Sequence, residues 1–368
     1  MRVRVDVLFD DADRRAALHE ATLRGLKETP KQIPAIWLYD ERGSVLFDEI
    51  TRLLEYYLTR TERAILEERA REIASETRAE TLVELGSGTS EKTRLLLDGL
   101  VAGGTLRRFV PLDVSEELLI ASAHAIAEEH PALEVHAVVG DFERHLSALP
   151  VGGRRVFAFL GSTIGGLEVG ARKSLLRAIA TSLGDEDMLL LGLDLVKDRA
   201  RIESAYSDRS GLSERFQRNG LVHLDRELGS DFSKGRFEHY ATWDSEREWV
   251  DIGFRSMGAQ VVRVPRLGIE VAFADGERLR TSVSSKFRRA PIEAELADAG
   301  LQLGLWWPDA DGDYALCLSR RCQFARPAAQ ARARCVVSEK DGAIKVFDSL
   351  SDSTQTEFAN LATNVHNF

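Results

Sequence analysis

Thr81-Leu82-Val83-Glu84-Leu85-Gly86-Ser87-Gly88-Thr89 fixes the architecture of this 368-residue chain. Five β-prone residues stop at a glycine, and SEKTRLLLDGL (90–100) then carries apolar residues at helical spacing. A strand that ends in Gly-x-Gly and opens a helix lets the backbone turn tightly and approach a ligand closely. The free N–H groups at the helix start then face electron-rich atoms. A plain strand-to-helix turn uses the same glycines, so the motif also has a purely structural reading. Position 91 is Glu, which removes the third glycine of the dinucleotide fingerprint GxGxxG.

Outward from this turn the texture repeats. RFVPLD (108–113), LEVHAVVGD (133–141), VFAFLGS (156–162) and MLLLGLDL (188–195) read as further strands, and EELLIASAHAIAEEH (116–130) as a helix between them. Apolar strands alternating with helices predict a parallel sheet covered on both faces. Right-handed crossovers make it doubly wound. Upstream, TRTERAILEERAREIASET (59–77) is amphipathic, with Ile65, Leu66 and Ile73 on one face. The rhythm breaks over 198–285, where scattered aromatics and the runs QVVRV and GIEVAF predict a smaller, partly antiparallel α+β lid. LQLGLWWPDADGDYALCLSRR (301–321) reads as a closing antiparallel pair around an Asp-Gly turn.

The expected division is a helical part of the substrate domain over 1–60, a sheet domain over 61–197 plus 286–321, a lid over 198–285, and an appendage over 322–368. The appendage reads as an Ala/Arg/Pro linker, a hairpin turning at Asp341-Gly342, and a short helix.

Composition narrows the function. Forty-nine basic and 59 acidic residues give a net charge of −10, which repels phosphate backbones and argues against nucleic acid. No apolar run approaches the ~20 residues needed to cross a bilayer. The N-terminus lacks an apolar core followed by a small-residue cleavage site, so a cytoplasmic protein is expected. Cys317, Cys322 and Cys335 form no CxxC pair, and the eight histidines show no ligand spacing, so no metal is expected.

The chemistry-bearing residues collect at strand ends. Asp113 closes the second strand of the alternating region, 27 residues after Gly86, where an acid can accept both ribose hydroxyls of an adenosine. Capping of the next helix is its structural alternative. Asp141-Phe142 follows the next strand, where an acid can meet an adenine amino group and a ring can stack on the base. Glu-x-Gly-x-Gly at 84–88 is the pattern of S-adenosylmethionine (SAM) methyltransferases, and with Gly88 it names SAM as the expected cofactor. Gly161-Ser162-Thr163-Ile164-Gly165-Gly166 closes the following strand and is expected to line the cleft while also turning through positive φ. Upstream, Tyr56 and Tyr57 sit beside charges; a tyrosine there can hold an amine, although buried tyrosines with a satisfied hydroxyl are commoner.

Taken together, LFDEITRLLEYYLTRTERAIL (46–66), LVELGSGTSEKTRLLL (82–97), FVPLDVS, GDF, FLGSTIG and AYSDRSG resemble the histidine N-alpha-methyltransferase family of ergothioneine biosynthesis over about residues 15–321. The resemblance implies a Rossmann-like class I methyltransferase domain with a smaller α+β substrate domain. It also implies SAM-dependent trimethylation of the α-amino group of histidine to hercynine. It places Gly86, Lys92, Asp113, Asp141 and Phe142 on the cofactor, with Tyr39 near its methionine end. It sets Tyr56 near the substrate amine, Tyr206 near the carboxylate and Ser284 near the side chain; Tyr56 and Tyr39 are thus the candidate catalytic residues.

Three positions depart from the family pattern. Gly166 stands where an asparagine is usual, Ser282 replaces the glutamate that would bind the imidazole, and Ile252 replaces a methionine. A carboxylate facing a ring N–H discriminates strongly for it, and serine removes both the attraction and the penalty for its absence. Tryptophan or a peptide acceptor, including the chain's own C-terminal tail, therefore stands beside histidine. A non-catalytic SAM-binding protein is the third reading.

Overall fold

In the computed structural model the described residues are 3–322, 338–340 and 343–345. The chain opens with β1 (Val3–Val7), α1 (Asp11–Gly25), β2 (Lys31–Gln32), α2 (Glu41–Thr51) and the long α3 (Tyr57–Thr77). The alternating region follows as β3 (Thr81–Leu85), α4 (Thr93–Ala102), β4 (Arg108–Asp113), α5 (Glu116–Glu129), β5 (Glu134–Val139), β6 (Arg155–Phe159), α6 (Val169–Ser182) and β7 (Met188–Asp194). Next come α7 (Arg199–Ser204), α8 (Leu212–Leu228), β8 (Phe237–Asp244), β9 (Trp249–Ser256), β10 (Gln260–Val264), β11 (Ile269–Phe273) and β12 (Arg278–Ser285). The region ends with α9 (Arg289–Asp298), β13 (Leu301–Pro308) and β14 (Tyr314–Arg321).

Eight strands form one sheet in the order β1-β5-β4-β3-β6-β7-β14-β13. Six run parallel, β14 pairs antiparallel with β7, and β13 pairs antiparallel with β14. This is the doubly wound, Rossmann-like arrangement that the alternation of strands and helices predicts. Alternate residues of a strand serve opposite layers: Leu82 packs with α3, α4 and α5 residues such as Leu66, Leu97 and Ile126, while Val83 packs with α6 and α9 residues such as Leu176 and Leu296. Both faces of the strand are therefore dry, which is why these strands read as unbroken apolar runs. The chain leaves β3 toward β4 and β5 on one side and later places β6 and β7 on the other. The strand order therefore reverses at β3, and the crevice beyond its C-terminal end is the switch point where α/β sheets bind ligands.

The remaining strands make a four-stranded sheet, β2-β12-β9-β8, and the hairpin β10-β11. They share a separate apolar cluster with α1 and α8 that includes Leu18, Trp37, Leu224, Phe254 and Phe273. Residues 1–60, expected to be helical, also supply two strands. β1 extends the large sheet beside β5, and β2 runs parallel to β12 in the small one. The reason is local: Val3, Val5 and Val7 alternate with polar residues in a pattern suited to an edge strand.

Residues 1–322 pack as one unit and 323–368 as a second. In the latter, β15 (Ser338–Lys340) and β16 (Ala343–Lys345) pair antiparallel, as the expected hairpin requires. Its Asp341-Gly342 turn, the linker and the terminal helix lie outside the described residues. No described helix is long and apolar enough to cross a membrane.

Candidate active site

The loop after β3 is built for close approach. Gly86 and Gly88 both adopt positive φ, +70° and +52°, which a side chain would strain. A Cβ at Gly88 would meet nothing within 4 Å, so the backbone there faces open space. Between them the Ser87 hydroxyl is buried and finds no hydrogen-bond partner among the described residues. Asp113 points at this turn: one carboxylate oxygen accepts the Gly88 N–H at 2.9 Å and the other accepts the Ser115 N–H at 2.9 Å. Asp113 thus braces the glycine loop and the start of α5 together, so its capping and its ligand-facing placement coexist. Burial raises its pKa, while the N–H bonds from Ser115 and Gly88 oppose that shift.

Phe142 flanks the same loop, its ring lying 5.0 Å from that of Phe159 and within 3.7 Å of a Cβ built at Gly86. Asp141 is buried and caps the next turn by accepting the Glu143 N–H at 2.8 Å. The buried unpartnered hydroxyl, the open backbone at Gly88 and the flanking acid and ring together fit a nucleoside cofactor. Beside this turn lies a cleft of about 860 Å³, lined among others by Thr89, Val114, Ser115 and Tyr39 but by none of Gly86, Gly88, Asp113, Asp141 and Phe142.

A row of aromatic rings leads from the nucleoside side into the protein. Ser115 Oγ donates to the Tyr39 carbonyl at 3.4 Å. The Tyr39 ring lies 5.5 Å from Phe47, Phe47 lies 6.1 Å from Tyr56, and Tyr56 lies 6.2 Å from Tyr206, each pair edge-on. Such edge-to-face packing favours an ordered stack. Burial, reinforced by Tyr206 and Tyr39, raises the Tyr56 pKa well above the usual phenol value, so its hydroxyl keeps its proton.

At the end of the row Tyr206 Oη and Ser284 Oγ are 2.7 Å apart. Lys286, fully buried, donates to both, at 2.7 and 2.8 Å, and reaches Asp194 at 2.7 Å. Asp194 in turn accepts the Tyr57 hydroxyl at 3.0 Å and pairs with Lys197. The adjacent tyrosines therefore diverge, Tyr56 toward Tyr206 and Tyr57 toward Asp194. Ser282 and Ile252 are directly opposed across β12 and β9. The Ser282 hydroxyl accepts from Gln217 Nε2 at 3.3 Å, and Gln217 Oε1 accepts from Thr281 at 2.6 Å. Gly166 lies beside this strand, and a Cβ there would have only the Val283 carbonyl within 4 Å, at 3.9 Å.

The Gly161 loop takes its shape from two left-handed residues, Gly161 at φ 73° and Ser162 at φ 54°. Ser162 Oγ holds the latter by accepting the Asp194 N–H at 3.0 Å.

Lys92, expected on the cofactor, has its ammonium paired with Glu62, a carboxylate with no solvent exposure. Glu62 accepts the Gly161 N–H and the Tyr314 hydroxyl as well. Glu62, Asp194 and Lys286 escaped the sequence reading. The signal for Glu62 was present, since it precedes Ile65 and Leu66 by three and four residues and so shares their buried face. No local pattern marks Lys286 or Asp194, which meet only because the end of β12 lies beside the end of β7, with Phe287 N bonded to Asp194 O at 2.8 Å.

Residues 18–321 match the family described as "Histidine-specific methyltransferase, SAM-dependent". The chain is 50% identical over 321 residues to the histidine N-alpha-methyltransferase of Mycobacterium tuberculosis, covering 87% of this chain and all of that one. It is 50% identical to its namesake in Mycolicibacterium smegmatis, covering 83% of this chain and 95% of that one. Ergothioneine biosynthesis protein 1 of Neurospora crassa is 30% identical over 83% of this chain and 35% of its own length. The chain therefore belongs to the histidine-specific, SAM-dependent methyltransferase family and is an enzyme that uses S-adenosylmethionine.

Proposed function

We propose that this enzyme methylates the α-amino nitrogen of histidine, up to the betaine hercynine, as a cytoplasmic step of ergothioneine biosynthesis that involves neither nucleic acid nor membrane. The observation that carries the reading is the aromatic row from Tyr39, beside Ser115, through Phe47 and Tyr56 to Tyr206, which runs from the side of the glycine turn to the polar cluster of Tyr206, Ser284 and Lys286. When bound, S-adenosylmethionine supplies an electrophilic methyl group on its sulfonium.

The chain's contribution is alignment in a dry site. Gly86, Gly88, Lys92, Asp113, Asp141 and Phe142 hold the cofactor, with Tyr39 near its methionine end. Tyr56 orients the amine. Its phenol is held far above neutral pH and does not serve as base, so the ammonium proton leaves to solvent before each transfer. Tyr206 takes the carboxylate, and Ser284, Ser282 and Ile252 face the side chain.

A second reading, the same transfer to tryptophan or to a peptide, is favoured by the wall itself. Ser282 supplies no carboxylate opposite Ile252, and Gly166 leaves room. Incubating the enzyme with SAM and each amino acid separately, followed by mass spectrometry, tests both. Histidine carrying three added methyl groups supports the first reading; tryptophan turnover without histidine turnover replaces it with the second. Removal of residues 323–368 leaves turnover unchanged unless the tail serves as acceptor or plug.

A further inference from the structure

The Tyr206–Ser284 pair has a proton count that Lys286 decides. The ammonium has three protons, and three acceptors take them: Asp194 Oδ2, Tyr206 Oη and Ser284 Oγ, at 2.7, 2.7 and 2.8 Å. The two hydroxyls also bond each other at 2.7 Å, using one of their two protons whichever of them donates. The hydroxyl that accepts inside the pair already accepts from Lys286 as well, so its lone pairs are filled. One hydroxyl proton remains, and it can only be given outward. The pair therefore always offers one proton outward, while the hydroxyl that donates inside it keeps a single lone pair.

Charge reinforces the same preference. Lys286 and Lys197 share the single carboxylate of Asp194, and the neighbouring Asp313 is paired with Arg201. Burial alone would push the Lys286 pKa down, but Asp194 holds it above the usual lysine value, so the ammonium stays charged. A donor backed by a buried cation suits an anionic acceptor.

We propose that Lys286 is a positioning residue for the acceptor amino acid, biasing the Tyr206–Ser284 pair so that Tyr206 donates its hydroxyl proton to the substrate carboxylate while Ser284 donates to Tyr206. The inference rests on the reading of this enzyme as an amino-acid N-methyltransferase. It predicts that the free carboxylate is recognised, and that an amide in its place is discriminated against through Lys286.

The test compares histidine with histidinamide in the wild type, Lys286→Met, Tyr206→Phe and the double variant. The wild type should favour histidine in kcat/KM, and K286M should shrink that preference by about tenfold, the size of one charge-assisted bond. The loss should fall on KM for the amino acid, with kcat at saturation and SAM affinity little changed. Y206F should reduce the preference too, and the double variant should lose no more than the larger single loss, because both act on one bond. A preference unchanged in K286M, or losses that add, overturns the proposal. Should K286M fail to fold, Lys286→Arg carries the test: it should keep the carboxylate preference and raise KM, whereas loss of the preference with the cation retained would contradict it. A wild type that turns over no free amino acid would instead refute the underlying function.

Discussion

Glu62 accepts the backbone N–H of Gly161 with both carboxylate oxygens, at 2.8 and 2.9 Å. Through this contact α3 sets the loop after β6 and, with the same side chain, anchors the ammonium of Lys92 and the hydroxyl of Tyr314. A fully buried carboxylate thus ties three elements together beside the proposed cofactor site.

Replacing Glu62 should show both effects. Glu62→Ala leaves Lys92 uncompensated and Gly161 N–H unpaired, and is expected to cost about 3 kcal/mol in urea unfolding. Glu62→Gln retains shape but loses the charge, and should weaken SAM binding about tenfold by calorimetry, close to 1.4 kcal/mol. Unchanged affinity in E62Q would show that the anchoring of Lys92 is irrelevant to the cofactor.

The glutamate of the Glu-x-Gly-x-Gly motif has a role in stability. Glu84 is buried beneath the loop and accepts from Ser90 and Thr93; burial pushes its pKa up to about 8. The folded state therefore binds a proton that the unfolded state, with a pKa near 4.5, releases. This contribution is complete below pH 4.5 and is lost as pH rises toward 8. The difference in unfolding free energy between wild type and Glu84→Gln should drift against the wild type by about 1.4 kcal/mol per pH unit within that window. A pH-independent difference would contradict the assignment.

The alternation of strands and helices and the acids at strand ends were legible because they are local: a residue closing a strand at the switch point faces the crevice. The position of Asp113 and its capping of the next helix were thereby legible, whereas its bond to the Gly88 N–H was not. Glu62 was not, because in an amphipathic helix it looks like any surface acid until β7 and β14 cover that face. Gly192 on β7 marks the closeness of that cover, since a Cβ there would collide with Glu62 Oε1. Asp194 and Lys286 are separated by 92 residues of sequence and become neighbours only when β12 ends against β7.

Under the proposed function, position 282 faces the substrate side chain. Ser282→Glu places a carboxylate opposite Ile252 and is expected to lower KM for histidine about tenfold while raising that for tryptophan, since a buried carboxylate without a matched ring N–H is costly. Steady-state kinetics with both amino acids check this; equal effects on the two would remove position 282 from substrate choice.

The most direct measurement is a calorimetric titration of S-adenosylhomocysteine into the wild type and into Asp113→Asn, with thermal melts alongside. Binding by the wild type, weakened at least about tenfold in D113N while the fold persists, is the result expected from a charged brace at the nucleoside turn. Equal binding by the two proteins, or none by the wild type, would contradict the placement of the cofactor on which the whole account rests.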